Sequence, residues 1–361
     1  VDGLCSNSEY GAMPDWDVSQ ITSMTLAFYD KAEFNGDISS WDVSNVTDMS
    51  SMFSADNYVF VTAFNQDIGG WNVSNVTNMM FMFGRSSSFN QDIGDWDVGN
   101  VLNMSYMFLR ASSFNQDIGR WNTENVKEMK SMFTSATSFN QNISTWDVGN
   151  VTNMMSMFGD VSGPSPVPYT GATSFNQDIS AWDVSNVTVM SFMFNEATSF
   201  NQNLGAWNVS NVANMSQMLN SSGLSQDNYD SMLIKWSEQD VQSNVPLGAR
   251  GVNYCSGEDA RQSLIDSKNW IIEDAGLDCS TASLDDQNQL DILIYPNPAS
   301  DIVYIDGNYS QLKVVVYDIL GKQVMNKPIK NSINISQLEK GVYVLQLSDG
   351  TKRNTQRIIK Y

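Results

Sequence analysis

Residues 64–83 read FNQDIGGWNVSNVTNMMFMF, and this string returns with small variations through the first two thirds of the chain. The tryptophans mark its period. Trp16, Trp41, Trp71, Trp96, Trp121, Trp146, Trp182 and Trp207 are separated by 25, 30, 25, 25, 25, 36 and 25 residues. The five and eleven extra residues of the two longer intervals fall at one point of the unit, around Ser54 to Ala63 and Gly159 to Gly171, as loops inserted on one edge of a stack should. A unit this short cannot bury its own apolar face, so it buries that face against the next copy.

Within a copy, Trp71 and Val73 alternate with the polar Asn72, a period of two that predicts a short strand with one buried face. Val76, Met79, Met82 and Phe83 follow at helical or 3₁₀ spacing, which predicts a helical turn behind the strand. Stacking superposes equal positions. The repeat core is therefore expected to hold ladders of tryptophan (Trp41, Trp71, Trp96, Trp121, Trp146, Trp182, Trp207), valine, phenylalanine and methionine, with 15 of the 20 methionines on two columns. That placement reads as thioether packing rather than as ligands for a soft metal. Asn45, Asn75, Asn100, Asn125, Asn150, Asn186 and Asn211 form a further column, expected to bond their own and the next copy's backbone. Asn45-Val46-Thr47 also fits an N-glycosylation acceptor, a match that the repeat generates by itself.

Composition narrows the function. The 361 residues, about two domains' worth, carry 42% apolar side chains and can fold around a core. Forty acidic against 19 basic residues give a net charge of -21, which opposes binding to nucleic acid or to an anionic membrane surface. The chain has no histidine, which removes imidazole acid/base chemistry, Ser/His/Asp and Cys/His nucleophiles and most zinc sites. No run of eighteen apolar residues predicts a transmembrane helix, and the start at Val1 without a basic n-region reads as a mature or trimmed piece.

On these residues the unit resembles the 25-residue repeat of BspA-like leucine-rich-repeat surface proteins, found also in Mycoplasma lipoprotein-like surface proteins, over roughly residues 9–220. The resemblance implies a solenoid of leucine-rich-repeat type, with short parallel strands and helical or 3₁₀ turns, on a secreted or cell-surface protein of adhesion or interaction, without catalytic residues. After Leu219 the repeat ends, and residues 221–279 carry two helical stretches and a Trp-Ile-Ile strand, expected to cap the eight-copy solenoid of residues 1–220. Cys255 and Cys279 flank the second stretch. A disulfide between them would close a loop of about 25 residues and contribute ~3 kcal/mol, and export favours it over two reduced thiols. Cys5 is left over, and Leu4 before it does not suit a lipobox.

Residues 280–290 read as a polar linker, and 291–361 as a small antiparallel β-sandwich. Residues 290–361 carry a net charge of +3, the first 289 a net -24. Tyr295-Pro296-Asn297-Pro298, Tyr317-Asp318-Ile319-Leu320-Gly321-Lys322, Gly341-Val342-Tyr343 and the basic end Ile358-Ile359-Lys360 resemble the type A C-terminal sorting domain of the Bacteroidetes type IX secretion system. That implies contact with the secretion machinery and delivery to the outer-membrane surface or the medium.

The residue after each tryptophan supplies the candidate ligand face: Asp17, Asp42, Asn72, Asp97, Asn122, Asp147, Asp183 and Asn208. On a strand these would stack on the exposed side, with Asp17 beside Asp42 and Asp147 beside Asp183, so that solvent or a cation such as calcium must relieve their repulsion. The solvated face is the expectation, with no cofactor. The rival class is a parallel β-helix polysaccharide lyase or hydrolase using such carboxylates. Near-identical copies argue against it, because catalysis needs one locally distinct constellation. The sequence therefore reads as a non-enzymatic surface protein that binds a protein or glycan.

Overall fold

The computed structural model describes residues 12–55, 62–160, 170–280, 290, 292–307, 312–319, 321–350 and 352–361. Cys5, Leu320, Asp291 at the expected domain start, and most of the linker and of both extra loops lie outside the described residues. The chain forms two compact units, Val1–Asp278 and Cys279–Tyr361.

Each repeat of the first unit is a string of tight turns, and here the structure corrects the expected strand and helical turn. Trp71 N–H bonds Ile68 O (3.1 Å), Val76 bonds Val73 (2.9 Å), Met82 bonds Met79 (3.2 Å) and Phe89 bonds Ser86 (3.1 Å). The Trp-Asn-Val alternation is the signature of a turn, because Asn72 Oδ1 accepts the N–H of Ser74 at 3.2 Å and folds the backbone between two buried side chains. The helical path is broken at Phe81, whose φ of +61° is left-handed, as it is at the equivalent Leu26, Ser51, Tyr106, Ser131, Ser156, Phe192 and Gln217.

What repays that conformation is pairing between copies. Met79, Phe81 and Phe83 donate their N–H groups to Asn103, Ser105 and Met107 of the next copy at 3.0, 2.9 and 3.0 Å. Regular parallel pairing shrinks to isolated bridges that join Ser23, Asp48, Asn78, Asn103, Glu128, Asn153, Val189 and Asn214 in succession.

Inside, Phe83 stacks on Phe89 at 3.9 Å within one copy and on Phe108 at 5.7 Å in the next. The two methionine columns are buried from Met24 to Met218. Each buried tryptophan is also pinned by its polar edge, Trp121 Nε1 donating to Ile93 O and Trp146 Nε1 to Ile118 O at 3.0 Å.

After the last copy come helix α1 (Gln226–Ser237), strand β1 (Pro246–Ala249), helix α2 (Glu258–Lys268) and strand β2 (Ile271–Asp274). Helix α1 buries Tyr229, Met232, Leu233 and Trp236. Strand β1 accepts Met215 N–H at Pro246 O (3.0 Å) and Leu219 N–H at Gly248 O (2.8 Å), then pairs in parallel with β2. Asp230, buried on α1, takes the backbone N–H groups of Cys255, Ser256 and Gly257 that open α2. Asp274 binds Arg261 at 2.7 Å and the Tyr229 hydroxyl at 3.1 Å. Burial, then the Asp274 charge, push the Tyr229 phenol well above its ordinary range. Cys255 and Cys279 are both disulfide-bonded, and with three cysteines in the chain they can only be bonded to each other.

The second unit has two antiparallel sheets. Strands β3 (Ile292–Tyr295), β4 (Ile302–Gly307) and β7 (Ser332–Asn334) form one, in the order β3-β4-β7. Strands β5 (Leu312–Asp318), β6 (Gln323–Ile329), β8 (Gly341–Ser348) and β9 (Arg353–Lys360) form the other, in the order β6-β5-β8-β9. Val303, Ile305 and Ile333 of the first share a core with Val314, Val316, Leu345, Leu347 and Ile358 of the second.

Candidate ligand face

The stack places Asp17, Asp42, Asn72, Asp97, Asn122, Asp147, Asp183 and Asn208 on one exposed column, at turns and not on strands. Each side chain accepts the N–H two residues on, from Ser19 to Asp17 (3.0 Å) through Gly149 to Asp147 (2.9 Å) and Ser185 to Asp183 (3.0 Å) to Ser210 at Asn208 (3.2 Å). An amide oxygen makes this bond as well as a carboxylate, which is why aspartate and asparagine interchange along the column.

The hydroxyl and then the N–H of Ser19, Ser44 and Ser185 hold Asp17, Asp42 and Asp183 below the usual carboxylate range. The Asp17 charge is the weakest influence on Asp42, so the turn bonds and solvent outweigh like-charge repulsion. Among the described residues no three Cys, Asp or Glu side chains gather as a metal site.

A second column repeats the device at Asp37, Asp67, Asp92, Asp117, Asn142, Asp178 and Asn203. The asparagine column reaches into the preceding copy and not the expected next one, Asn45 Nδ2 donating to Ser19 O at 2.8 Å and Asn211 to Ser185 O at 2.7 Å. Sequence reasoning passed over a further ladder. Asn65 Oδ1 accepts Asn90 N–H at 2.9 Å, Asn90 does the same for Asn115, and Gln91 and Gln116 bond the carbonyls of Asn65 and Asn90. Its signal is the Asn-Gln pair that follows Phe64, Phe89, Phe114, Phe139, Phe175 and Phe200.

In the second unit, Asn297 of the Tyr295-Pro296-Asn297-Pro298 segment clips the last strand, donating to Arg357 O (2.8 Å) and accepting from Ile359 N–H (2.9 Å). Asp318 takes the N–H of Lys322 at 2.9 Å around a turn in which Gly321 has a φ of +79° that suits glycine. Tyr343, two residues after Gly341, donates its hydroxyl to Glu339 O at 2.9 Å. The motif residues are thus the turn and clip residues of this small domain.

Stacked copies of one turn-rich unit with a separate antiparallel terminal domain define a repeat protein. The chain belongs to the family described as Mycoplasma protein of unknown function, DUF285, which matches residues 5–97, 55–165 and 168–245. Residues 293–361 match the secretion system C-terminal sorting domain, the type IX tail that engages the secretion machinery and marks a secreted or cell-surface protein. No curated protein matches the chain. No helix among the described residues is long and apolar enough to cross a membrane.

Proposed function

We propose that this protein works by binding, as an adhesion or interaction protein on the surface of a Bacteroidetes bacterium, and performs no catalysis and needs no cofactor. In this reading the repeats of residues 1–220 are a solenoid of leucine-rich-repeat type, residues 221–279 its cap and 280–290 a linker. The observation that carries it is the exposed turn-capping column from Asp17 to Asn208, a rigid polar surface repeated copy after copy. Repeated surfaces of this kind suit extended protein or glycan partners.

The full chain, labelled and applied to glycan and protein arrays, tests the reading. Saturable binding to a defined subset, with no shortening of any polysaccharide probe, is expected. Release of unsaturated or reducing-end fragments from a probe would overturn it in favour of a lyase or hydrolase.

A further inference from the structure

Near-identical copies make departures from the repeat informative, because the scaffold does not ask for them. The column of left-handed residues reads Leu26, Ser51, Phe81, Tyr106, Ser131, Ser156, Phe192 and Gln217. Only in the third and fourth copies do two aromatic rings follow one another. The neighbouring column, otherwise serine or threonine, carries Met80, Lys130 and Met155, and a third column of mostly threonine carries Leu102 and Lys127. Phe81, Tyr106, Met80, Lys130, Leu102 and Lys127 fall in three successive copies that the bridges Asn78–Asn103–Glu128 hold side by side.

The rings of Phe81 and Tyr106 lie 5.8 Å apart, tilted by 54°. Phe81 lies down on Gly84, where a Cβ would come within 2.5 Å of the ring. The guanidinium of Arg85, buried and bonded to Ala55 O at 2.7 Å, stands 5.7 Å from the Phe81 centroid. At the other end the Lys130 ammonium stands 5.5 Å from the Tyr106 centroid.

Met80 is 37% exposed and Leu102 44%. Lys127 is exposed, and among the described residues neither it nor Lys130 is in an ion pair. The first 289 residues carry a net -24, yet the stretch from Arg85 to Lys130 holds five of their ten basic residues against six acidic ones, close to neutral on an acidic molecule.

We propose that Met80, Phe81, Leu102, Tyr106, Lys127 and Lys130 form a docking surface for an acidic protein partner that sets an apolar side chain on the rings and carboxylates against the lysines. This rests on the binding function proposed above and names its partner's chemistry. Aromatic and methionine side chains inside a polar rim have the composition of a protein interface, and two lysines outside any ion pair among the described residues favour carboxylates on the partner. Aliphatic Met80 and Leu102 gain most by burial against another apolar group, which a hydroxyl-rich glycan supplies poorly.

The full chain with methyl-labelled methionines, assigned at Met80 through Met80→Leu, is titrated with a synthetic peptide of alternating glutamate and leucine. A lysine–leucine peptide and polygalacturonate are titrated in parallel. The acidic peptide is expected to move the Met80 methyl saturably and the other two probes to leave it still. Lys127→Glu with Lys130→Glu should weaken the acidic peptide roughly tenfold or more, and the single exposed change Lys127→Glu should weaken it without altering the melting temperature.

A Met80 methyl moved by polygalacturonate and not by the peptide would make this a glycan site and overturn the proposal. A methyl unmoved by any probe while the arrays report binding would overturn the docking surface and leave the binding function standing. Silence in both experiments would overturn both.

Discussion

Trp236 of helix α1 donates its indole N–H to Leu204 O at 3.2 Å, the same bond that Trp207 makes to Ile179 O at 3.0 Å one step earlier in the stack. A helical residue thus occupies the place of the next repeat's tryptophan. Strand β1 likewise stands where the next copy's pairing segment would, taking the N–H groups of Met215 and Leu219. The last copy is covered by elements that reproduce the bonds of a repeat without its sequence.

Trp236→Ala is accordingly expected to cost about 3–5 kcal/mol, as much as the same change at Trp121 in the middle of the stack. Trp236→Phe, which keeps most of the ring but not the N–H, should lose about 1 kcal/mol for the bond plus a smaller packing term. Denaturant unfolding of both variants measures this. A near-wild-type Trp236→Ala would show that the helix is an ornament.

On the acidic column, changing Asp147 and Asp183 together to Asn keeps both turn acceptors and should leave stability within about 0.5 kcal/mol, whereas Ala at both should cost about 1 kcal/mol for each lost turn bond. Calcium should raise the melting temperature no more than magnesium at equal ionic strength. A calcium-specific rise that vanishes in the Asn variant would turn this column into a metal site. Asp183 also titrates below its ordinary 3.8, so its contribution is present above that pH and is lost as the pH falls through the lower folded value. The Asn variant should show less acid destabilisation.

Asp160 behaves in the opposite sense. Burial first and the Glu196 charge second raise its carboxyl to about 6, against the opposing charge of Arg110, and its Oδ1 has no hydrogen-bond partner among the described residues. The folded state therefore holds a proton that the unfolded chain releases near 3.8, and stability is lost as the pH rises from there through about 6. Asp160→Asn should stabilise the protein at pH 7.5 by roughly 2 kcal/mol and have no effect at pH 3.5. Melting curves at the two pH values decide, and an equal shift at both would assign the effect to packing.

Deleting residues 291–361 removes the sorting domain and leaves in place the bonds from copy to copy, such as Asn45 Nδ2 to Ser19 O. The truncated chain should keep the melting transition of the first unit and remain in the periplasm of a host with the type IX system. Surface exposure of the truncated chain, read by protease accessibility on intact cells, would show that export does not depend on the tail.

The period of Trp41 to Trp207 by itself determined that copies stack and which side chains meet, because equal spacing leaves equal positions no other low-energy partner. The sorting motifs were equally legible, since Asn297, Gly321 and Tyr343 act within a few strands of a small domain. Local conformation was misread where one pattern has two causes. Trp71 and Val73 flank a polar residue as they would on a strand, but the side-chain bond from Asn72 to its own backbone makes that stretch a turn. The Asn-Gln pair of the Asn65 ladder recurs six times in the string, but the backbone groups it bonds belong to neighbouring copies and come within reach only on stacking. Only the tertiary structure decided that Phe81, Tyr106 and Lys130 touch. They are 25 and 24 residues apart, and the stacking of one copy on the next closes those intervals to ring contacts of 5.8 and 5.5 Å, while the side chains around them carry no periodicity that would announce it.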